Sequence, residues 1–354
     1  MMMRLLAVVA FASGAQLCPP CFRLQNALHG NRTRQSLRWL HVPKTGSTFQ
    51  NSIFHWACPG LPHRAGYGPG ATPIRFAKLY DGSQLNRTLC DRDIDQTLPG
   101  HKPASMDRVD DTVAMFRRPA QRLLSAFRDR KHADGFQERD KAANWRELNA
   151  SGYARHPGIA GCTTRMLLGA KCAHVHQKSE ETARATNEAA RGGGLPVAKA
   201  TAVVRRLAFV GLQERWADSI CLFHATVGGP CLPVEFQNVR PGDYNGSQAQ
   251  ARLRSRPVLQ GDAERYDFGD RVDTYDWTLY AAVHHRFARA LRAFNVSEDR
   301  CRHETCPRAP PSADFSTAPA VIRRDDVLQR RWARLGDQAR QQQKRMVYRP
   351  HPIK

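Results

Sequence analysis

The stretch His41-Val-Pro-Lys-Thr-Gly-Ser-Thr-Phe49 gathers a lysine, a glycine and the hydroxyls of Thr45, Ser47 and Thr48 into one short polar loop. If the loop opens a helix, the first backbone N–H groups of that helix have no partner within it. With Lys44 and the hydroxyls they would cradle a phosphate-like anion. The loop is not a Walker A sequence, because Gly-x-x-x-x-Gly-Lys-Ser/Thr is absent and Lys44 precedes Gly46. Read alone, it is equally an ordinary strand-to-helix turn.

A second stretch adds to the case. Val113-Ala-Met-Phe-Arg-Arg-Pro-Ala-Gln-Arg-Leu-Leu-Ser-Ala-Phe127 contains Arg-x-Pro-x-x-Arg-x-x-Ser. Arg117 at the end of a strand and Ser125 two turns into the following helix could converge on one further phosphate. Arg122 alone would be explained by a solvated helix face, but the whole pattern would not.

The elements that must position these residues are legible from apolar periodicity. Arg38 to Val42 reads as a strand, and Phe49, Ile53, Phe54 and Ala57 recur at helical spacing after it. Thr112 to Phe116 reads as a second strand, with Leu123, Leu124 and Phe127 on one face of the next helix and Pro119 in its first turn. Leu207 to Leu212 is a third strand, followed by a helix over Glu214 to Thr226. Asp273 to Phe294 is a further amphipathic helix, with Leu279, Val283, Phe287 and Leu291 four apart. Strands alternating with helices predict an α/β fold with a parallel sheet and a ligand at the C-terminal ends of its strands.

In order and spacing, these segments resemble the Golgi carbohydrate sulfotransferases, in particular the group that includes heparan sulfate 2-O-sulfotransferase. The resemblance extends through Gly161-Cys-Thr-Thr-Arg-Met-Leu-Leu-Gly169, Phe209-Val-Gly-Leu-Gln-Glu-Arg-Trp216 and Asp276-Trp-Thr-Leu-Tyr280, covering about residues 37 to 295. It implies a single-domain, P-loop-like parallel sheet flanked by helices and a sulfuryl donor, 3′-phosphoadenylyl sulfate (PAPS). Carried over by position, Lys44, Thr45, Gly46, Ser47 and Thr48 would contact the phosphosulfate, and Arg117 and Ser125 the 3′-phosphate. Lys44 would also stabilise the charge that grows on the leaving oxygen. No metal is required by that chemistry.

The acceptor hydroxyl needs a base titrating near neutrality. His101, in Leu98-Pro-Gly-His-Lys-Pro103, matches the place of the base in the 2-O-sulfotransferase-like enzymes; His41 and His55 are rivals beside the loop. The chain departs from the family at position 118, an arginine where an acidic or amide residue is usual, which leaves a local partner for Arg117 or Arg122 in question. Ser47 replaces a frequent glycine. Arg128, Arg130, Lys131 and His132, and separately Asn238, Arg240 and Tyr244, are candidates for acceptor or nucleotide contacts.

Composition sets the wider frame. The 354 residues carry 54 Lys+Arg against 32 Asp+Glu, a formal charge of +22, and only ten of the basic residues are lysines. Such an arginine excess suits polyanionic partners, an acidic polysaccharide being the expected acceptor. No run of about 18 apolar residues occurs, which excludes a helical-bundle membrane protein. Met1 to Leu17 fits a cleaved signal peptide or a short type II anchor. Five sequons (Asn31, Asn86, Asn149, Asn245, Asn295) and ten cysteines point to the secretory pathway and the Golgi lumen. Among those cysteines Cys162 and Cys172, Cys221 and Cys231, and Cys301 and Cys306 are near neighbours, and the even count with short loops reads as disulfides whose connectivity the sequence leaves open. The sulfotransferase domain is expected over 35–306, with a Pro-rich linker and basic tail over 307–354. The competing readings are a catalytically inactive glycan-binding protein with the same fold, a kinase-like nucleotide transferase, and a glycosyltransferase using Asp91-Arg92-Asp93 as a metal pair. The kinase-like reading lacks Walker features, and nothing else in the chain supports a sugar-nucleotide site.

Overall fold

The computed structural model describes residues 36–66, 72–73, 89–94, 101–129, 161–170, 195–237 and 273–315. The N-terminal segment, four of the five sequons, Cys18, Cys21, Cys172, Arg130 to His132, Asn238 to Tyr244 and the basic tail lie outside these residues. All the described residues belong to one compact unit, Arg34–Lys354.

Four parallel strands form the main sheet: β1 (Ser36–Leu40), β4 (Asp93–Ile94), β5 (Thr112–Phe116) and β6 (Phe209–Leu212), in the order β4-β1-β5-β6. Trp39 pairs in register with Val113, and Val113 with Phe209. Two shorter strands, β2 (Ala65–Gly66) and β3 (Thr72–Pro73), form a separate parallel pair. All five residues of β5 are buried. That is why its sequence runs Thr-Val-Ala-Met-Phe without alternation: a central parallel strand has helices on both faces and no solvent side.

The helices are α1 (Gln50–Ala57), α2 (Pro119–Asp129), α3 (Cys162–Leu167), α4 (Val197–Arg206), α5 (Trp216–Val227), α6 (Thr274–Ala293) and the single turn α7 (Glu298–Arg300). A 3-10 turn, Ser47–Phe49, leads into α1, and another, Gln213–Arg215, leads into α5. The α/β architecture with a parallel sheet is therefore as expected: β5 has the expected bounds, β1 lies two residues earlier in the chain and β6 starts two residues later. On α6, Leu279, Val283 and Phe287 are buried and Leu291 is half-buried. Asp273 caps this helix by accepting from the Asp276 N–H at 3.0 Å. Phe49, Phe209 and Phe223 form an aromatic knot between loop, sheet and α5, with centroids 5.0–5.5 Å apart. The knot fixes the start of α1 against β6 and so holds the first loop in place.

Disulfides join Cys58 to Cys90, Cys221 to Cys301 and Cys231 to Cys306. The connectivity left open by the sequence is crosswise here: the near neighbours 221/231 and 301/306 bond to each other's members and not within each pair. The reason is spatial. Cys221 lies within α5 and Cys231 beyond its end, while Cys301 and Cys306 flank the turn that packs against that helix. Among the described residues no helix is long and apolar enough to cross a membrane.

Candidate functional site

Parallel pairing sends the chain out of β1, β5 and β6 at the same edge of the sheet, so three loops distant in sequence meet there. The first, after β1, turns on Lys44 (φ 65°) and Gly46 (φ 107°), both left-handed. Glycine is required at 46 for a second reason, because a Cβ there would lie 2.8 Å from the Trp216 ring. The Thr45 hydroxyl donates to the Val42 carbonyl at 2.8 Å and ties the turn from inside. Ser47 and Thr48 start the 3-10 turn.

Around this edge lies a cavity of about 500 Å³, of a size to hold a nucleotide. Lys44, Gly46, Ser47 and Thr48 line it from the first loop, Arg117 and Ser125 from the second, and His101 from the segment before β5. Of the eight residues expected from sequence, seven therefore reach one cavity, and Thr45 alone does not line it. Its hydroxyl is spent within the loop.

The second loop is fixed to the first by Arg117, whose Nη1 donates to the Lys44 carbonyl at 3.4 Å. Burial lowers the Arg117 guanidinium below its ordinary range, and the nearby Glu214 carboxylate works in the opposite direction. Glu214, from the third loop, accepts from the Arg118 backbone N–H. Its own carboxyl is pushed up by burial and held back by that N–H and by the two arginines. Arg122 is buried on α2 and its Nη2 lies 3.7 Å from Asp276 Oδ2 at the start of α6. Asp276 also accepts from the N–H groups of Thr163 and Thr164 and from the Thr164 hydroxyl, at 2.8–3.0 Å. The acidic partner missing at position 118 is thus supplied from elsewhere, by Glu214 beside Arg117 and Asp276 beside Arg122.

His101 Nδ1 lies 2.9 Å from the backbone carbonyl oxygen of His41. A carbonyl only accepts, so Nδ1 carries the proton, and in the neutral ring Nε2 is the basic nitrogen. The His101 ring sits 4.3 Å from the His41 ring, which stacks on Trp39 at 4.2 Å. His41 lines the cavity too. His55 does not: it is buried on α1, its Nε2 donates to the Ala65 carbonyl at 2.6 Å, and burial lowers its basicity. It is a packing residue.

Sequence reasoning missed several cavity residues. Trp216, Gln213, Phe236 and Gln237 line one side, and Gln50 lines the first loop's side. Gln50 Nε2 and Gln237 Oε1 are buried without partners among the described residues, and a polar ligand would satisfy both. Gln213 and Trp216 lie in a segment marked by the family resemblance, without a role assigned to them there; Gln50 and Gln237 carried no such signal. Ser312, Ala313 and Asp314 also line the cavity, although composition had placed them in a linker.

Among the described residues two sets of close side chains have metal-ligand character, Cys221/Cys301/Cys306 and His224/Cys231/Glu235. Every cysteine in them is in a disulfide, which removes the thiolates a metal would need. His224 Nε2 instead pairs with Glu235 Oε2 at 2.7 Å. Arg92, of the Asp-Arg-Asp triplet, donates to the Trp56 carbonyl at 2.6 Å and lies 3.9 Å from Asp91, and neither residue lines the cavity.

The fold and site together define an α/β chain with a basic, histidine-bearing cavity at the C-terminal edge of a parallel sheet. The chain matches no protein-family model, no curated protein and no solved structure.

Proposed function

We propose that this chain is a PAPS-dependent carbohydrate sulfotransferase with the sulfotransferase fold, acting on a hydroxyl of a secretory-pathway glycan such as a glycosaminoglycan. The observation that carries this reading is the convergence of Lys44, Ser47 and Thr48 with Arg117, Ser125 and His101 on one cavity. Two anion-binding loops facing a common space suit a donor with anionic groups at both ends. A histidine with a defined basic nitrogen suits activation of a hydroxyl.

In the proposed reaction the acceptor oxygen attacks sulfur in line with the bond to the leaving phosphate. The new O–S bond forms as the sulfur-to-bridging-oxygen bond breaks, and adenosine 3′,5′-bisphosphate departs with the electron pair. The acceptor proton passes to His101 Nε2. Lys44 offsets the charge growing on the bridging oxygen, and Arg117 and Ser125 hold the 3′-phosphate. The three disulfides among the described residues and the exposed sequon residue Asn295 support folding in the Golgi lumen. The arginine excess supports an acidic polysaccharide as acceptor.

The test is incubation with labelled PAPS and a panel of glycans, followed by disaccharide analysis. Transfer that is lost in Lys44→Ala supports the reading. Absence of both transfer and binding to immobilised adenosine 3′,5′-bisphosphate would instead favour a catalytically inactive glycan-binding protein.

A further inference from the structure

Residues 307–315 follow Cys306 of the Cys231–Cys306 disulfide and contain three prolines, two alanines and a serine in place of a regular element. They are nonetheless packed. Phe315 is buried, with its ring 6.4 Å from that of Phe236, which lines the cavity. A turn closes where the Ala313 N–H donates to the Pro310 carbonyl at 2.9 Å.

One side chain gathers this segment. Arg302 Nη1 donates to the Pro310 carbonyl at 3.1 Å, and Nη2 donates to those of Pro311 at 3.4 Å and Ala313 at 3.1 Å. Its Nε donates to Glu298 at 2.9 Å, which fixes the fork on α7. The guanidinium carbon lies 4.9 Å from the centre of the Phe315 ring. A planar cation with five directed donors can hold three carbonyls and an aromatic face at once; an ammonium cannot. On either side of Arg302, Cys301 and Cys306 bond to Cys221 and Cys231, so the base of the clasp is tied to the helix whose first residues, Trp216 and Ala217, line the cavity.

We infer that residues 307–315 are a wall of the ligand site and that Arg302 is a positioning residue for it, acting on ligand binding through Ser312, Ala313 and Asp314 without touching the ligand. Asp314 brings the one carboxylate found among the described residues that line the cavity. This wall therefore faces hydroxyl or amine donors of the ligand, and the anionic groups belong at the Lys44 and Arg117 side. The inference rests on the nucleotide reading for its choice of probe.

The experiment compares wild type, Arg302→Lys, Phe315→Ala and, as control, Arg300→Ala, whose guanidinium pairs with Glu304 instead. Hydrogen exchange is followed at Ser312 to Phe315, and affinity for adenosine 3′,5′-bisphosphate and inorganic pyrophosphate by calorimetry. Expected are faster exchange in the segment and affinity about tenfold weaker in the first two variants, through lost preorganisation, with neither change in the control. Unchanged exchange in Arg302→Lys and Phe315→Ala overturns the clasp. Faster exchange with unchanged affinity overturns the wall. Pyrophosphate binding without nucleotide binding in wild type defeats the nucleotide reading and leaves pyrophosphate to judge the wall; binding of neither probe overturns both.

Discussion

Arg122 and Asp276 form an ion pair 3.7 Å apart in which both side chains are almost wholly withdrawn from solvent. The pair joins α2, which carries Ser125, to α6, and three donors from α3 complete the shell of Asp276. Removing one partner leaves the other charge buried and uncompensated, a loss of about 3–5 kcal/mol in comparable cases. Asp276→Ala is expected to lower unfolding free energy by that order in urea titrations. A change below about 1 kcal/mol would show that the pair is not buried as described.

His101→Ala is expected to abolish sulfate transfer while keeping affinity for adenosine 3′,5′-bisphosphate near wild type, because in the proposed site the ring contacts the His41 carbonyl and Lys44, Arg117 and Ser125 hold the nucleotide. General bases typically contribute about 10²–10⁴-fold. Near-normal turnover in single-turnover assays would remove His101 from the role.

Arg117→Ala should weaken binding of 3′-phosphorylated nucleotide much more than binding of its 3′-dephosphorylated analogue. A charge-assisted pair of this kind is worth roughly 1.5–3 kcal/mol, or about ten- to a hundredfold. Equal losses for both ligands, read by calorimetry, would mean that Arg117 serves only to hold the Lys44 carbonyl.

Asp273 gives a pH signature. Burial first, and then the neighbouring Asp276 carboxylate, push its carboxyl up to about 7. An unfolded aspartate titrates near 3.9. The folded state therefore holds a proton that the unfolded chain has released, so this group's contribution to stability is full below about pH 4 and is lost as pH rises through 7. Across that window the slope is about −1.4 kcal/mol per pH unit. In urea titrations from about pH 4.5 to 7, the stability of wild type relative to Asp273→Asn should fall with rising pH; parallel profiles would contradict the assignment.

Peptide mapping without reduction should recover Cys221 linked to Cys301 and Cys231 linked to Cys306. Peptides carrying a Cys221–Cys231 or a Cys301–Cys306 bond would contradict the structure.

What could be read from sequence divides along a physical line. Thr112–Phe116 was legible to the residue because a strand buried on both faces is apolar throughout. Both loops that line the cavity were legible because their polar and basic side chains lie close together in the chain. Contacts made across the chain were not: Glu214 and Asp276 answer Arg117 and Arg122 from about 100 and 150 positions away, and no local pattern announces this. The inward turn of the Thr45 hydroxyl depends on one backbone torsion beside it. The 307–315 segment was misread because proline-rich composition is shared by linkers and by irregular segments pinned from outside, and here the pin is a single arginine.

The crosswise disulfides carry a consequence for biosynthesis. Cys221 and Cys301 lie 80 residues apart, and Cys231 and Cys306 lie 75 apart, whereas each cysteine has another only a few positions away. Short loops close more readily than long ones in an unfolded chain. Oxidation ahead of folding therefore favours the wrong neighbours, and the native pattern is reached by thiol–disulfide exchange once α5 has met the turn after α7. Refolding of the reduced chain is therefore expected to give more native product in a buffer that reshuffles disulfides than in one that only forms them.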